Sequence, residues 1–190
     1  MNTKRQYKKF ALIGTSCVGK TTLVLELEKI LQKKYSNKII VTVPEAARHY
    51  LEKRKVRNPF SYINQHNIQT LAKEFEKQAE LQKPGIIICD RSVLDAVAYV
   101  KTMGTQKETE KLLKRARYWL VTYRHFFLLD PAGVNYQTDV IRKEDMHIRK
   151  AFHNSFLNLL QDLVLPYTLI SGNEKQRVNQ MADIISSFII

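Results

Sequence analysis

Five short apolar runs, each closed by a turn or charged residue and each followed by a helical stretch, limit the folds open to this chain. Phe10–Ile13 ends at Gly14, Ile39–Val43 at Pro44, and Ile86–Cys89 at Asp90. His125–Leu129 ends at Asp130-Pro131, and Tyr167–Ile170 at Ser171-Gly172. Strands apolar on both faces must be covered on both sides, and strands joined through helices run parallel. The pattern predicts an α/β protein, a three-layer sandwich around a five-stranded parallel sheet. The intervening helices are expected over Thr21–Lys34, through Tyr50, from an Asn58 cap and Pro59 to Gln82, and from a Ser92/Asp95 capping box to Met103. Others are expected over Lys107–Tyr123 and Asp145–Val164, and from a Ser171–Glu174 cap to Phe188. There is no repeat, Gly/Ser-rich linker or low-complexity tract. With 190 residues, one domain over 1–190 is expected, since two cores would hold only about 95 residues each.

Composition narrows the class. Apolar residues make up 44% and charged residues 26%, which argues against disorder, and no run approaches the roughly 18 apolar residues of a membrane span. The N-terminus does not read as a secretory leader, because its apolar segment is a few residues long and runs into Gly14-Thr-Ser-Cys17. Two cysteines, Cys17 and Cys89, support neither a disulfide framework nor an all-cysteine zinc site, so a cytoplasmic setting is expected. Lys and Arg total 31 against 18 Asp and Glu, a formal charge of +13. That admits nucleic acid, anionic lipid or phosphorylated ligands. Most of the lysines fall at helical spacing or in tails, and no groove-reading motif is present, so nucleic acid is not expected as the primary partner. A homodimer is compatible with the sequence.

Gly14-Thr15-Ser16-Cys17-Val18-Gly19-Lys20-Thr21 fits GxxxxGK[ST] without a gap and lies between a β-run and an amphipathic helix. Such a loop turns successive backbone N–H groups inward, which requires glycine where a Cβ clashes or φ is positive. The helix beginning at Lys20 adds the positive end of its dipole, and Thr22 extends the cradle. Lys20 reaches the outer phosphates and the Thr21 hydroxyl suits Mg²⁺. ATP and Mg²⁺ are the expected cofactors, with the choice of ATP over GTP open. Cys17 reads as a small filler whose backbone N–H matters, although its place beside a lysine suits a reactive thiol.

In a parallel sheet, ligands gather at the carboxyl ends of the strands. Asp90 closes the third apolar run, where a carboxylate holds Mg²⁺ directly or through water. Arg91 follows it and is suited to bidentate contact with phosphate or carboxylate. Glu45 closes the second run and, at i,i+3 from Arg48, either accepts a proton from an attacking hydroxyl or forms an ordinary helix-start pair. Arg142 and Arg149 are two helical turns apart in a segment suited to close over a triphosphate. The five histidines show no HxxxH or HExxH spacing. Trp119, Tyr118, Tyr123, Phe126 and Phe127 read as core.

Taken in order, Gly14–Thr21, Val43-Pro-Glu45-Ala-Ala-Arg48, Asp90-Arg91-Ser92 with Asp95 and Tyr99, Leu128-Leu-Asp130-Pro131 and Asp139–Arg142 resemble the NadR-like AAA-type P-loop domain family. That family includes the ribosylnicotinamide kinase domain of NAD-biosynthesis regulators and is similar to deoxynucleoside and thymidylate kinases. The resemblance spans about residues 8–187. It implies a nucleoside/nucleotide kinase-like P-loop NTPase fold, a lid around 133–150, and a nucleotide-base loop near Ser171–Asn173 that includes Gly172. It also implies Glu45 or Asp90 as base or metal-linked carboxylate, Arg91 at the acceptor and Arg142 as a lid arginine. The expected activity is transfer of the ATP γ-phosphate to a nucleoside, nucleotide or related small metabolite held by Glu45, Arg48 and Arg91. The alternative is a nucleotide-dependent switch with weak ATPase or GTPase activity: Asp130-Pro-Ala-Gly133 fits DxxG, but no NKxD-type segment accompanies it.

Overall fold

The computed structural model describes residues 7–132 and 146–189. Its strands are β1 (Lys8–Ile13), β2 (Ile40–Val43), β3 (Ile86–Asp90), β4 (His125–Leu129) and β5 (Tyr167–Ile170). Its helices are α1 (Lys20–Lys34), α2 (Ala46–Glu52), α3 (Tyr62–Leu81), α4 (Val93–Met103), α5 (Gln106–Leu120), α6 (Met146–Asp162) and α7 (Glu174–Ser187). The strands form one parallel sheet in the order β2-β3-β1-β4-β5.

The two-residue period of a strand sends alternate side chains to opposite layers. Phe10, Leu12, Ile86, Ile88, Phe127 and Leu129 pack under α1 and α7, against residues such as Leu27 and Met181. Ala11, Ile13, Ile87, Cys89, Phe126 and Leu128 face α3 to α6, against Val97, Leu112 and Phe156. The expected sandwich is the observed one.

Two expectations need correction. Asn58-Pro59 does not open α3. Asn58 Oδ1 instead accepts from the Phe60 amide at 3.0 Å, an Asx turn that competes with helix, and α3 starts after Ser61. Tyr118 is 86% exposed on α5 and is not core, whereas Tyr123, Phe126 and Phe127 are buried. The Ser92/Asp95 capping box is formed on both sides, with the Leu94 amide donating to Ser92 and the Ser92 amide to Asp95.

Candidate functional site

The tips of β1, β3 and β2 lie side by side, because Leu12 is in register with Asp90 and Val43 with Cys89. The chain leaves β1 through Gly14 at φ 136° and enters α1 through Gly19 at φ 79°, both conformations that glycine adopts without strain. At Gly14 a Cβ would also come within 3.3 Å of the Leu129 carbonyl oxygen. Cys17 takes φ 57° and is half-buried. Thr15 and Ser16 are buried, Thr22 is exposed, and the Val18 side chain points into the core under α1, leaving its backbone for the loop.

Lys20 is buried and folded back on the loop, donating to the carbonyls of Gly14 (3.2 Å) and Thr15. Burial, then the nearby Arg91 charge, bring its pKa down to about 7, against the pull of Glu45, Asp90 and Asp95. Thr21 Oγ1 donates to Asp90 Oδ2 at 2.5 Å, while the buried Asp90 Oδ1 has no hydrogen-bond partner among the described residues. Burial, then repulsion from Glu45, hold the Asp90 carboxyl above its ordinary range. An unsatisfied carboxylate oxygen beside a hydroxyl at the loop's edge is a donor set that fits Mg²⁺.

Arg91 joins the parts. It sits at φ 77°, 7% exposed, and donates through Nε to Glu45 Oε1 at 2.7 Å. Nη1 lies 3.0 Å from the Gly14 carbonyl oxygen, 2.9 Å from Asp95 Oδ1 and 3.0 Å from the Tyr99 hydroxyl. Burial opposes its charge, and Tyr99, Glu45, Asp95 and Asp90 outweigh that. The Gly14 carbonyl therefore serves Lys20 and Arg91 together. The sequence marks Asp95 as a capping residue and Tyr99 only by resemblance, and gives neither a contact with Arg91. The signal available was their i+4 and i+8 spacing from Arg91 on the helix it leads into.

Glu45, the N-cap residue of α2, is buried, with Arg48 Nε 3.7 Å from Oε2. Glu45, Arg48, Thr21, Thr42 and Asp90 line a cleft of about 280 Å³. Beneath it, a void of about 20 Å³, room for about one water, lies among Gln65, Glu76, Arg91, Asp95 and Tyr99. Gly172, at φ 99°, turns the chain after β5, and its carbonyl accepts from Arg177 Nε at 2.7 Å. Arg177 also reaches the Asp130 carbonyl at 2.9 Å and so ties the tips of β4 and β5 together, a role the sequence reading missed. Arg149 Nη2 lies 3.5 Å from the Ser16 carbonyl oxygen. Arg142 and most of the expected lid lie outside the described residues. Among the described residues no cluster of three or more His, Cys, Asp or Glu is placed to hold a metal, and no helix is long and apolar enough to cross a membrane.

A glycine loop between β1 and α1, a lysine folded into it, and a carboxylate at the tip of β3 define a P-loop protein. Residues 9–177 match the family described as AAA domain, and the chain belongs to that family of P-loop domains. No curated protein sequence matches it. Among solved structures, it is similar to NadR in complex with NAD and AMP-PNP (18% identity, TM-score 0.76, 97% of this chain and 51% of that one). It is also similar to NadR in complex with NR (19%, 0.78, 97% and 53%), so the chain spans about half the length of those proteins. Thymidylate kinase from Ehrlichia chaffeensis is a further neighbour (16%, 0.63, 97% and 99%), as is that from Candida albicans (16%, 0.65, 96% and 92%). At these identities the likeness is one of fold, the P-loop α/β fold that the chain shares with NadR and thymidylate kinase.

Proposed function

We propose that the protein is an ATP-dependent kinase that phosphorylates a hydroxyl of a nucleoside or related small metabolite. The observation that carries this is the Arg91 junction: one guanidinium holds the Glu45 carboxylate at 2.7 Å and the phosphate-loop carbonyl of Gly14 at 3.0 Å. A proton acceptor and a triphosphate cradle are thereby fixed relative to each other, as in-line transfer requires. The acceptor oxygen attacks the γ-phosphorus, the bond to the bridging oxygen of ADP breaks, and Glu45 takes the hydroxyl proton. Lys20 stabilises charge on the transferring group, and Arg142 keeps its expected part as a lid arginine. Gly172 keeps its place in the loop beside the nucleotide base. Thr21 and Asp90 would hold Mg²⁺, which neutralises phosphate charge when bound. Assigning Asp90 to the metal with Thr21 leaves Glu45 as the base.

A hydroxyl acceptor is favoured over a phosphate acceptor because Nε and Nη1 of Arg91 are taken by Glu45, Gly14, Asp95 and Tyr99, which leaves Nη2 alone to meet an incoming anion. Arg48 is paired with Glu45 and Glu52. A monophosphate needs a cation of its own. Incubation with γ-labelled ATP and a panel of nucleosides and nucleoside monophosphates tests the reading, with label expected on a nucleoside-type hydroxyl. Glu45→Gln is expected to lower kcat by about 10²- to 10⁴-fold while AMP-PNP binding stays intact. Absence of any phosphorylated product from folded protein that binds AMP-PNP would overturn it.

A further inference from the structure

On the flank of α2 away from the phosphate loop, a groove of about 400 Å³ runs between α2 and α3, within the size range of small-molecule sites. Lys53, Arg54, His49, Asn67, Thr70 and Glu74 line it, with Tyr50 at its floor. None of them belongs to the kinase reading except His49, which lines both this groove and the 280 Å³ cleft beside Glu45.

Arg54 is pre-arranged. Its guanidinium carbon lies 4.3 Å from the centroid of the Tyr50 ring. That ring is 7% exposed, and its hydroxyl is pinned from two sides, donating to Asn64 Oδ1 at 3.1 Å and accepting from Asn67 Nδ2 at 3.0 Å. A guanidinium stacked on a fixed ring keeps its N–H edge free to meet an oxyanion. Lys53 and Arg54 are exposed, and among the described residues neither forms an ion pair. A solvated basic loop accounts for Lys55 and Arg57, which do not line the groove. It does not account for an arginine laid on a buried, doubly anchored tyrosine over a cavity.

We infer that this groove is a second binding site, for a small phosphorylated metabolite whose phosphate sits between Arg54 and Lys53, and that its occupancy is relayed through α2 to Glu45 and Arg48. Arginine presents a planar fork and lysine a point charge, the pair that recognises a phosphate group. Glu74, a carboxylate in the groove wall, opposes a polyanion and suits a ligand that also carries hydroxyls. The relay follows from how α2 is held. It is seven residues long and rests on α3 through Ala47, Tyr50 and Leu51 against Ile68. Tyr50, the platform for Arg54, and Arg48, the partner of Glu45, belong to the same two turns. The relay rests on the kinase reading for its meaning, whereas the binding site does not.

Titration of the ¹⁵N-labelled full chain with glycerol 3-phosphate, one phosphate with two hydroxyls, separates the two. In wild type and in Lys20→Met, which weakens the phosphate loop alone, the amides of 49–57 and 66–74 are expected to shift with one saturable affinity. Arg54→Ala is expected to weaken that affinity at least about tenfold, and Arg54→Lys several-fold, without moving the melting temperature. Shifts confined to 14–22, or groove shifts unaltered in Arg54→Ala, would overturn the site. Amides of Glu45 and Arg48 are expected to follow the same curve in Lys20→Met, and their failure to do so would overturn the relay. Tighter binding of a single-stranded oligonucleotide of about 10 nucleotides at the same amides would overturn the small-metabolite assignment, whose competitor is a salt-sensitive polyanion. None of these readouts depends on catalysis.

Discussion

Lys20 is held where its own charge is disfavoured, and this gives the site a pH signature. Its folded pKa of about 7 lies below the ordinary 10.5, so between those values the unfolded chain carries a proton that the folded chain lacks. The contribution of Lys20 to stability therefore rises with pH across that window and is most unfavourable below about pH 7. On the proposed function, a triphosphate bound beside Lys20 would restore the ammonium. Binding of AMP-PNP near pH 8 is expected to take up a proton, seen calorimetrically as a dependence on buffer ionisation heat that vanishes in Lys20→Met. A second buried lysine is held by an ion pair. Lys9 lies at the start of β1 in the α3–α6 layer and pairs with Glu76 at 2.7 Å, and Glu76 also accepts from Trp119 Nε1 (2.7 Å) and the Tyr123 hydroxyl (2.5 Å). Lys9→Met would leave a buried carboxylate without its cation, so a loss of about 3–5 kcal/mol is expected in urea unfolding.

At the scale of elements, side-chain caps close the starts of α4, α5 and α7, and the sequence made some of them plainer than others. Ser92 and Asp95 announce α4, and Asn173 with Gln176 closes a box on α7, because the carboxamide or carboxylate three residues on reaches back to the cap amide. Thr105 and Glu108 form the same device on α5, where the sequence reading marked only the start at Lys107. This box is exposed, so Thr105→Ala is expected to lower stability by about 1 kcal/mol without affecting nucleotide binding. The α3 start was misplaced because Asn58 has two uses in a sequence, as a cap or as an Asx turn, and only the surrounding chain selects one. Here Asn64 Nδ2 takes the Asn58 carbonyl at 2.8 Å, and Gln65 Nε2 takes that of Pro59 at 2.8 Å. Those bonds occupy the turn from a helix that begins beyond it.

For the molecule as a whole, a ligand that binds only the folded state stabilises it by mass action. AMP-PNP with Mg²⁺ at about 100 times its dissociation constant should add about 2.7 kcal/mol. For a chain of this size that is a rise of roughly 5–10 °C in Tm, measurable by thermal shift and smaller at the same ligand concentration in Lys20→Met. The sequence by itself determined the strands, their parallel pairing and the phosphate loop, because these depend on local pattern: apolar runs that must be covered twice, and glycines at the two positions of positive φ that open and close the loop. Its residues offered Glu45, Asp90 and Arg91 singly, and only the resemblance grouped Glu45 and Arg91 around one acceptor. Only the tertiary structure decided that Arg91 bonds both Glu45 and the phosphate loop directly. The strand order puts β3 between β2 and β1, so Arg91, 46 residues from Glu45 and 77 from Gly14, reaches both at hydrogen-bond distance. The burial of Lys9 against Glu76, 67 residues away, was equally hidden. A charge on a strand reads as an exposed residue until the fold brings an opposite charge into the same dry layer, and separation along the chain carries no record of that meeting.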